Sequence, residues 1–344
     1  MTAGMPKESS DATAEGAGEP LRVFVGADDS QLVAAQVLEF SIGCHASRPV
    51  SLTVMKDLPV PLPRDRRNRA QTAFSFYRFL IPRLCDRRGR ALYLDADMLV
   101  FADLAELWTL PLGPHTVLCT YQSEAPAHWK HRSFVHLGRQ FSVMLLDCAR
   151  LDWDIEAIVG GLDAGRYTYA QLMSELCIVP PRQIADTIPP DWNRLESFEG
   201  GKTKLLHYTV VGTQPWKSTE NPLGALWMAA YRDALRAGAV SPADVLRGIA
   251  EDHLHPALAD DLSLSPAHRT PTADTDAGDA SLGRELARVR AELGESRRSL
   301  RASAERIADL EEALIRLRDS WTWRIGRLLT GPLGRLRAAL RRPR

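Results

Sequence analysis

Leu92-Tyr93-Leu94-Asp95-Ala96-Asp97-Met98-Leu99-Val100 is the stretch from which the rest of the chain can be read. An apolar run of strand length ends on two carboxylates one residue apart. In open α/β sheets the carboxyl ends of strands are where ligands bind. Two acids in an apolar run repel each other and lose hydration. A divalent cation shared with a polyphosphate lets both stay ionised. Hard oxygen ligands suit Mg²⁺ or Mn²⁺. An Asp-x-Asp pair alone arises often by chance; one that ends an apolar strand is far more specific. The competing reading is a cap on the helix announced by Asp103 and Glu106. A cap would account for Asp97 but leaves Asp95 unexplained.

The neighbouring segments fit an α/β domain. Leu21 to Val25 is a short β-rich run that stops at Gly26-Ala27-Asp28-Asp29, a strand and its loop. Leu32, Val33, Gln36, Val37 and Phe40 have helical spacing. Residues 50 to 55 predict a second strand, 70 to 84 a helix with Pro82 near its end, and 91 to 94 the strand that ends on Asp95. Residues 116–120 and 141–146 predict further strands. Strands alternating with helices imply a mainly parallel, twisted sheet.

The chain has 344 residues, 45% hydrophobic and 25% charged, with Lys+Arg and Asp+Glu both 43. Zero net charge gives no sign of a nucleic-acid partner. Five widely spaced cysteines without a CxxC pair suggest reduced thiols in a cytoplasmic protein. Residues 1–20 are polar and small, without the apolar core of a secretory signal, and suggest a disordered start. The globular domain is expected over 21–260, followed by a Ser/Pro/Thr/Asp-rich linker at 261–280. Over 281–320 and on to the first tail residue, Leu286, Leu293, Leu300, Ile307, Leu314 and Trp321 recur every seven residues, which argues for a coiled coil and a homodimer. Ser296 and Ser303 interrupt its second core position; a long helix folded back on the domain is the alternative. In the tail, 321–344, arginines and apolar residues mix without any acid. That suits peripheral contact with an anionic membrane, or a solvated basic tail.

Tyr93 to Val100 resembles the metal motif of the glycosyltransferase family eight superfamily, which includes glycogenin and bacterial lipopolysaccharide galactosyltransferases. Other segments resemble that family in the same order. Val23 to Asp29 resembles its first strand and nucleotide loop, and Phe76-Tyr77-Arg78-Phe79-Leu80-Ile81-Pro82 the helix before the metal strand. Phe141 to Asp147, Pro190-Asp191-Trp192-Asn193, and Leu206-His207-Tyr208 with Gly212-Thr213-Gln214-Pro215-Trp216 complete the series. The resemblance spans about residues 21–230. It implies a GT-A fold: a Rossmann-like nucleotide-diphospho-sugar transferase domain. It further implies retaining hexosyl transfer from a UDP-sugar to a glycan or lipid-linked acceptor, with Mn²⁺ or Mg²⁺. By position, Asp95, Asp97 and His207 would hold the metal. Val25, Gly26, Asp28, Arg78, Asp95, Gly212, Gln214 and Trp216 would contact the donor, with Asp28 and Asp29 equally readable as turn residues. The segment around Trp216 would close over the donor. The tail segment Ser320 to Arg324 with Pro332-Leu333 resembles one on many bacterial envelope glycosyltransferases.

Three departures stand out. Gln214 replaces the lysine that holds a diphosphate oxygen, with Lys217, Lys202 and Lys204 as alternatives. Gln140-Phe141-Ser142 replaces Asn-Ser-Gly. Tyr167 to Glu175 stands where Asp-Gln-Asp is expected, leaving Gln171 as the catalytic candidate and Glu175 beside it. The changes at Gln214 and 140–142 also motivate a second reading, a catalytically degenerate domain that recruits partners through its coiled coil. A sugar-nucleotide synthase is disfavoured, because its Gly-rich, basic first loop is here acidic.

Overall fold

A computed structural model describes residues 19–68, 73–123 and 137–268. The heptad segment and the basic tail therefore lie outside the described residues, as does most of the 261–280 linker. Described elements begin with β1 (Leu21–Gly26), α1 (Leu32–His45) and β2 (Val50–Met55). A 3-10 helix (Ala73–Leu80) runs into α2 (Ile81–Leu84), then β3 (Arg90–Asp95), β4 (Met98–Val100) and α3 (Ala105–Trp108). β5 (Val117–Gln122), β6 (Gly138–Asp147), α4 (Ile155–Asp163) and α5 (Tyr169–Glu175) follow. The last elements are β7 (Ile184–Ala185), β8 (Arg194–Leu195), β9 (Leu205–His207), α6 (Gly224–Arg236), α7 (Pro242–Ala250) and a 3-10 stretch (Pro256–Leu264).

The main sheet has the order β2-β1-β3-β6-β5-β7, and β4, β9 and β8 form a small second sheet. β2, β1 and β3 run parallel, as do β5 and β7, whereas β6 is antiparallel to both β3 and β5. The expected mainly parallel α/β sheet is therefore present, with one reversed strand. That reversal positions the site: β6 begins, at Gly138–Ser142, on the edge where β3 ends.

Strand alternation sorts β3 between two cores. Leu92 and Leu94 join Val23, Val25, Val143 and Leu145 under α1 and the small sheet. Ala91 and Tyr93 face the opposite way, among Phe76, Phe79, Trp153 and Leu172. A strand buried on both faces has to be apolar throughout, which is why residues 91–94 carry no charge. Asp95 has the parity of Tyr93 and therefore projects to the side of the 73–80 helix.

That segment was expected to be helical, and its first eight described residues form a 3-10 helix that runs into α2. Phe74, Phe76, Tyr77, Phe79 and Leu80 are all buried there. Near-continuous apolarity suits a tight helix wedged against a sheet, since it need keep no polar face toward solvent.

Candidate metal centre and cavity

Asp95, Asp97 and His207 converge. Each offers a ligand atom, and the three atoms lie within 4.8 Å of one another. β3 delivers Asp95. The chain turns at Ala96 and re-enters as β4, which pairs Met98 with His207 on β9. The Tyr208 amide donates to the Asp97 carbonyl at 2.8 Å, which ties the two segments together. The small sheet is thus the device that brings an imidazole from residue 207 to carboxylates at 95 and 97.

Each group is held by a second residue. The Tyr93 hydroxyl donates to Asp95 Oδ1 at 2.5 Å, and Arg78 Nη2 donates to the same oxygen at 3.3 Å. Arg78 also donates to the Phe141 carbonyl at 3.1 Å and lies 4.6 Å from the centre of the Tyr93 ring. Gln214 is fully buried and donates from Nε2 to Asp97 Oδ2 at 2.9 Å and to the Tyr208 carbonyl at 3.0 Å. His207 Nδ1 lies 3.0 Å from Asn193 Oδ1, while Asn193 Nδ2 donates to Thr120 and Ser142. An oxygen partner on Nδ1 makes that nitrogen the N–H donor and leaves the Nε2 lone pair for a ligand.

The donor set fits a divalent cation. Asp97 Oδ1 is buried and accepts no hydrogen bond, yet it lies 3.0 Å from His207 Nε2. That separation is an ion-pair distance without hydrogen-bond alignment, and it is compatible with two ligands of one ion. The electrostatics agree. Burial raises the Asp95 pKa despite the opposing pull of Arg78, and Asp97 raises it further. Burial pulls the His207 pKa down, but Asp97 and Asp95 together outweigh it and leave the pKa raised. Excess negative charge at a buried cluster is what a cation relieves.

Beside the cluster lies a cavity of about 390 Å³, with Arg78, Asp95, Arg139, Ser142, Met173 and His207 among its walls. That is the size of a small-ligand site. Sequence reasoning pointed to the segments 140–142 and 167–175 that meet here, but not to Arg139, Tyr169 and Met173 as the side chains lining the cavity, because no local pattern marks which residues of β6 and α5 face it.

Other expected site residues take different places. Val25 is a buried core residue and Gly26 a close-approach position, where an added Cβ would meet the Tyr93 hydroxyl at 2.9 Å. Asp28 accepts from the Ser30 amide and hydroxyl, as a turn residue does. Asp103, not Asp97, accepts from the Ala105 amide at the start of α3. Gly212 is exposed, with open space around it.

Three of the expected residues have their side chains engaged within the protein. Both N–H groups of Gln214 are taken, by Asp97 and by the Tyr208 carbonyl. Trp216 does not offer a face to the donor: it is fully buried, 5.6 Å from the Trp227 ring, in a cluster that continues to Tyr231. Gln171 is exposed, and its oxygen accepts from the Thr168 amide in a capping box at the start of α5. Its neighbours Tyr169, Ala170, Met173 and Ser174 line the cavity and it does not. Lys217, by contrast, is partly buried with no hydrogen-bond or ion-pair partner for its ammonium among the described residues. Burial lowers its pKa, against the pull of Asp28 and Asp97.

Fold and site together define an α/β domain with an acid–acid–imidazole cation site at the strand ends and a ligand-sized cavity beside it. Residues 55–140 match the family model described as Glycosyl transferase family 8. That stretch contains Arg78, Asp95 and Asp97 and ends before His207. Protein CDI of Arabidopsis thaliana is 37% identical over 112 residues, 31% of this chain and 43% of that protein. Galactinol synthase 3 of the same plant is 25% identical over 203 residues, 48% of this chain and 58% of that protein. The chain thus covers less than two thirds of either relative. A solved structure of galactosyltransferase LgtC, with donor and acceptor sugar analogs, aligns over 62% of this chain and 96% of that one. Its identity is 13% and its TM-score 0.44. The family match supports a glycosyltransferase.

Proposed function

We propose that the chain is a metal-dependent, retaining glycosyltransferase that moves a hexose from a UDP-sugar to a glycan or lipid-linked acceptor. One observation carries this reading: Asp95, Asp97 and His207 converge beside a ligand-sized cavity, in a chain whose residues 55–140 match the family model. A bound Mn²⁺ or Mg²⁺ would supply Lewis-acid stabilisation of charge on the leaving diphosphate.

The protein's own contributions follow from the contacts. Tyr93 and Arg78 fix Asp95, Gln214 fixes Asp97, and Asn193 fixes the His207 tautomer. Lys217, without a partner among the described residues and near Asp28 and Asp97, is the cation we assign to the diphosphate in place of position 214. The loop at Asp28 and Asp29 would meet the nucleoside. Asp95 is the only carboxylate among the described residues of the cavity wall, and Tyr93 and Arg78 already engage it. That supports direct attack by the acceptor hydroxyl over a covalent intermediate. Gln214 was the strongest sequence argument for a degenerate scaffold; its bond to Asp97 supports an intact site instead. No helix among the described residues is long and apolar enough to cross a membrane. Dimerisation through 281–320, membrane contact through 321–344 and a cytoplasmic location remain part of the proposal.

The test is UDP release from a panel of UDP-sugars by the full chain, with Mn²⁺, Mg²⁺ or chelator. The expected result is metal-dependent release, abolished in Asp97→Asn. Lys217→Met should reduce it about 10-fold or more, the scale of one charge-assisted hydrogen bond. No release from any UDP-sugar with either metal would contradict the proposal.

A further inference from the structure

We infer that the cavity takes a sugar ring bearing a carboxylate, which Arg139 reads; this rests on the donor-site reading above. The argument begins with charge. The cavity wall carries two guanidinium groups, Arg78 and Arg139, and one carboxylate, Asp95. Arg78 is committed to Asp95, the Phe141 carbonyl and the Tyr93 ring. Arg139 has no carboxylate partner among the described residues: Nη2 donates to the Ile184 carbonyl at 3.2 Å, and that is its bond. A guanidinium has five N–H donors, so most of its capacity is uncommitted among the described residues. The bond to Ile184 holds it without neutralising it. Being partly buried, it is screened less than a surface arginine.

Topology separates this group from the nucleotide and its phosphates. In the order β2-β1-β3-β6-β5-β7, the metal ligand Asp95 ends β3, and the loop with Asp28 leaves β1 on one side of it. Arg139 starts β6 on the other side, opposite Tyr121 of β5, and reaches across to β7. Adjacent strands are about 4.8 Å apart, so β7 stands about 14 Å from β3. A diphosphate at the cluster between Asp95 and His207 is served from the β1 side by Lys217. Arg139 lies where the transferred sugar or the acceptor must sit. Ser142 and Ser174 share that wall; Ser142 Oγ accepts from Asn193 and Ser174 Oγ donates to the Ala170 carbonyl, and each oxygen keeps acceptor capacity for a sugar hydroxyl. A planar, bidentate guanidinium matches a carboxylate better than a neutral hydroxymethyl group. The carboxylate can belong to the donor's sugar or to the acceptor, and the experiment separates the two.

Calorimetry on the full chain with Mn²⁺ compares UDP, UDP-glucose, UDP-galactose, UDP-glucuronate and UDP-galacturonate. A second series adds D-glucuronate, D-galacturonate or D-glucose to protein already holding UDP and Mn²⁺. Arg139→Gln and Arg139→Lys are measured beside the wild type. If the donor carries the acid, a UDP-uronate binds about tenfold or more tighter than its UDP-hexose. If the acceptor carries it, the donors bind alike and a free uronate binds where glucose does not. In either case Arg139→Gln removes the preference and Arg139→Lys retains part of it. Should UDP fail to bind while a free uronate still binds through Arg139, the donor reading fails and this inference stands. Equal binding of acidic and neutral sugars in both series overturns it, as does a preference that survives Arg139→Gln.

Discussion

Gln214 shows how a single position can keep a site while changing its chemistry. A lysine there would have offered a charge to a phosphate; the amide instead holds Asp97 by one oxygen and leaves the other toward His207. Loss of a group that orients a metal ligand typically costs 10–100-fold in affinity. Gln214→Leu is therefore expected to weaken Mn²⁺ binding by at least about 10-fold, measured as free Mn²⁺ by electron paramagnetic resonance. Gln214→Glu is not equivalent, because it puts a third acid beside Asp97. Unchanged Mn²⁺ affinity in Gln214→Leu would remove the orienting role. At this scale the acids were legible, since nothing else ends an apolar strand on Asp95. His207 needed the resemblance. Asn193 was visible only as part of a turn, because its partners Thr120, Ser142 and His207 are far off in sequence.

Among the elements, α3 offers a clean measure of electrostatics away from the site. Asp103 accepts from the Ala105 and Ser47 amides, joining the start of α3 to the loop after α1. Burial works to raise its pKa, but the Ser47 and Ala105 hydrogen bonds outweigh it, and the pKa stays below the ordinary 3.8. A depressed pKa means the charged form is favoured by folding. Its stabilisation is full above about pH 4 and fades as pH falls through the folded value. Asp103→Ala should cost about 1 kcal/mol at pH 7, as the loss of a cap does. The difference from wild type should narrow toward pH 3 in urea unfolding; a gap constant with pH would contradict this. The strands around β3 were legible because burial on both faces forces an apolar run. The reversal of β6 was not, because period-two alternation is the same in either direction. β4, β8 and β9, only two or three residues each, leave no period to find.

Over the whole molecule, the thiols give an independent check on packing. Cys85, Cys119 and Cys148 are buried, Cys44 and Cys177 are exposed, and all five are free. Burial pushes the Cys119 thiol up to about 12, so it is closed to reagents both sterically and electrostatically. Two thiols are expected to react promptly with a disulfide reagent at pH 8, and all five after denaturation. Three or more prompt thiols would mean that one of the two cores is open. The packed helices α6 and α7 carry the described fold past the resembling region, which ends near residue 230. The coiled-coil and tail expectations fall outside the described residues, so dimerisation and membrane contact rest on sequence pattern alone.

The central claim is that Asp95, Asp97 and His207 hold a cation that in turn holds a nucleoside diphosphate. Titrating UDP into the full chain with and without Mn²⁺, in wild type and Asp97→Ala, tests it most directly. The account predicts UDP binding that requires Mn²⁺ and disappears in Asp97→Ala, with the variant's thermal unfolding showing that it remains folded. UDP binding that ignores both Mn²⁺ and Asp97, or no binding under any condition, would contradict it.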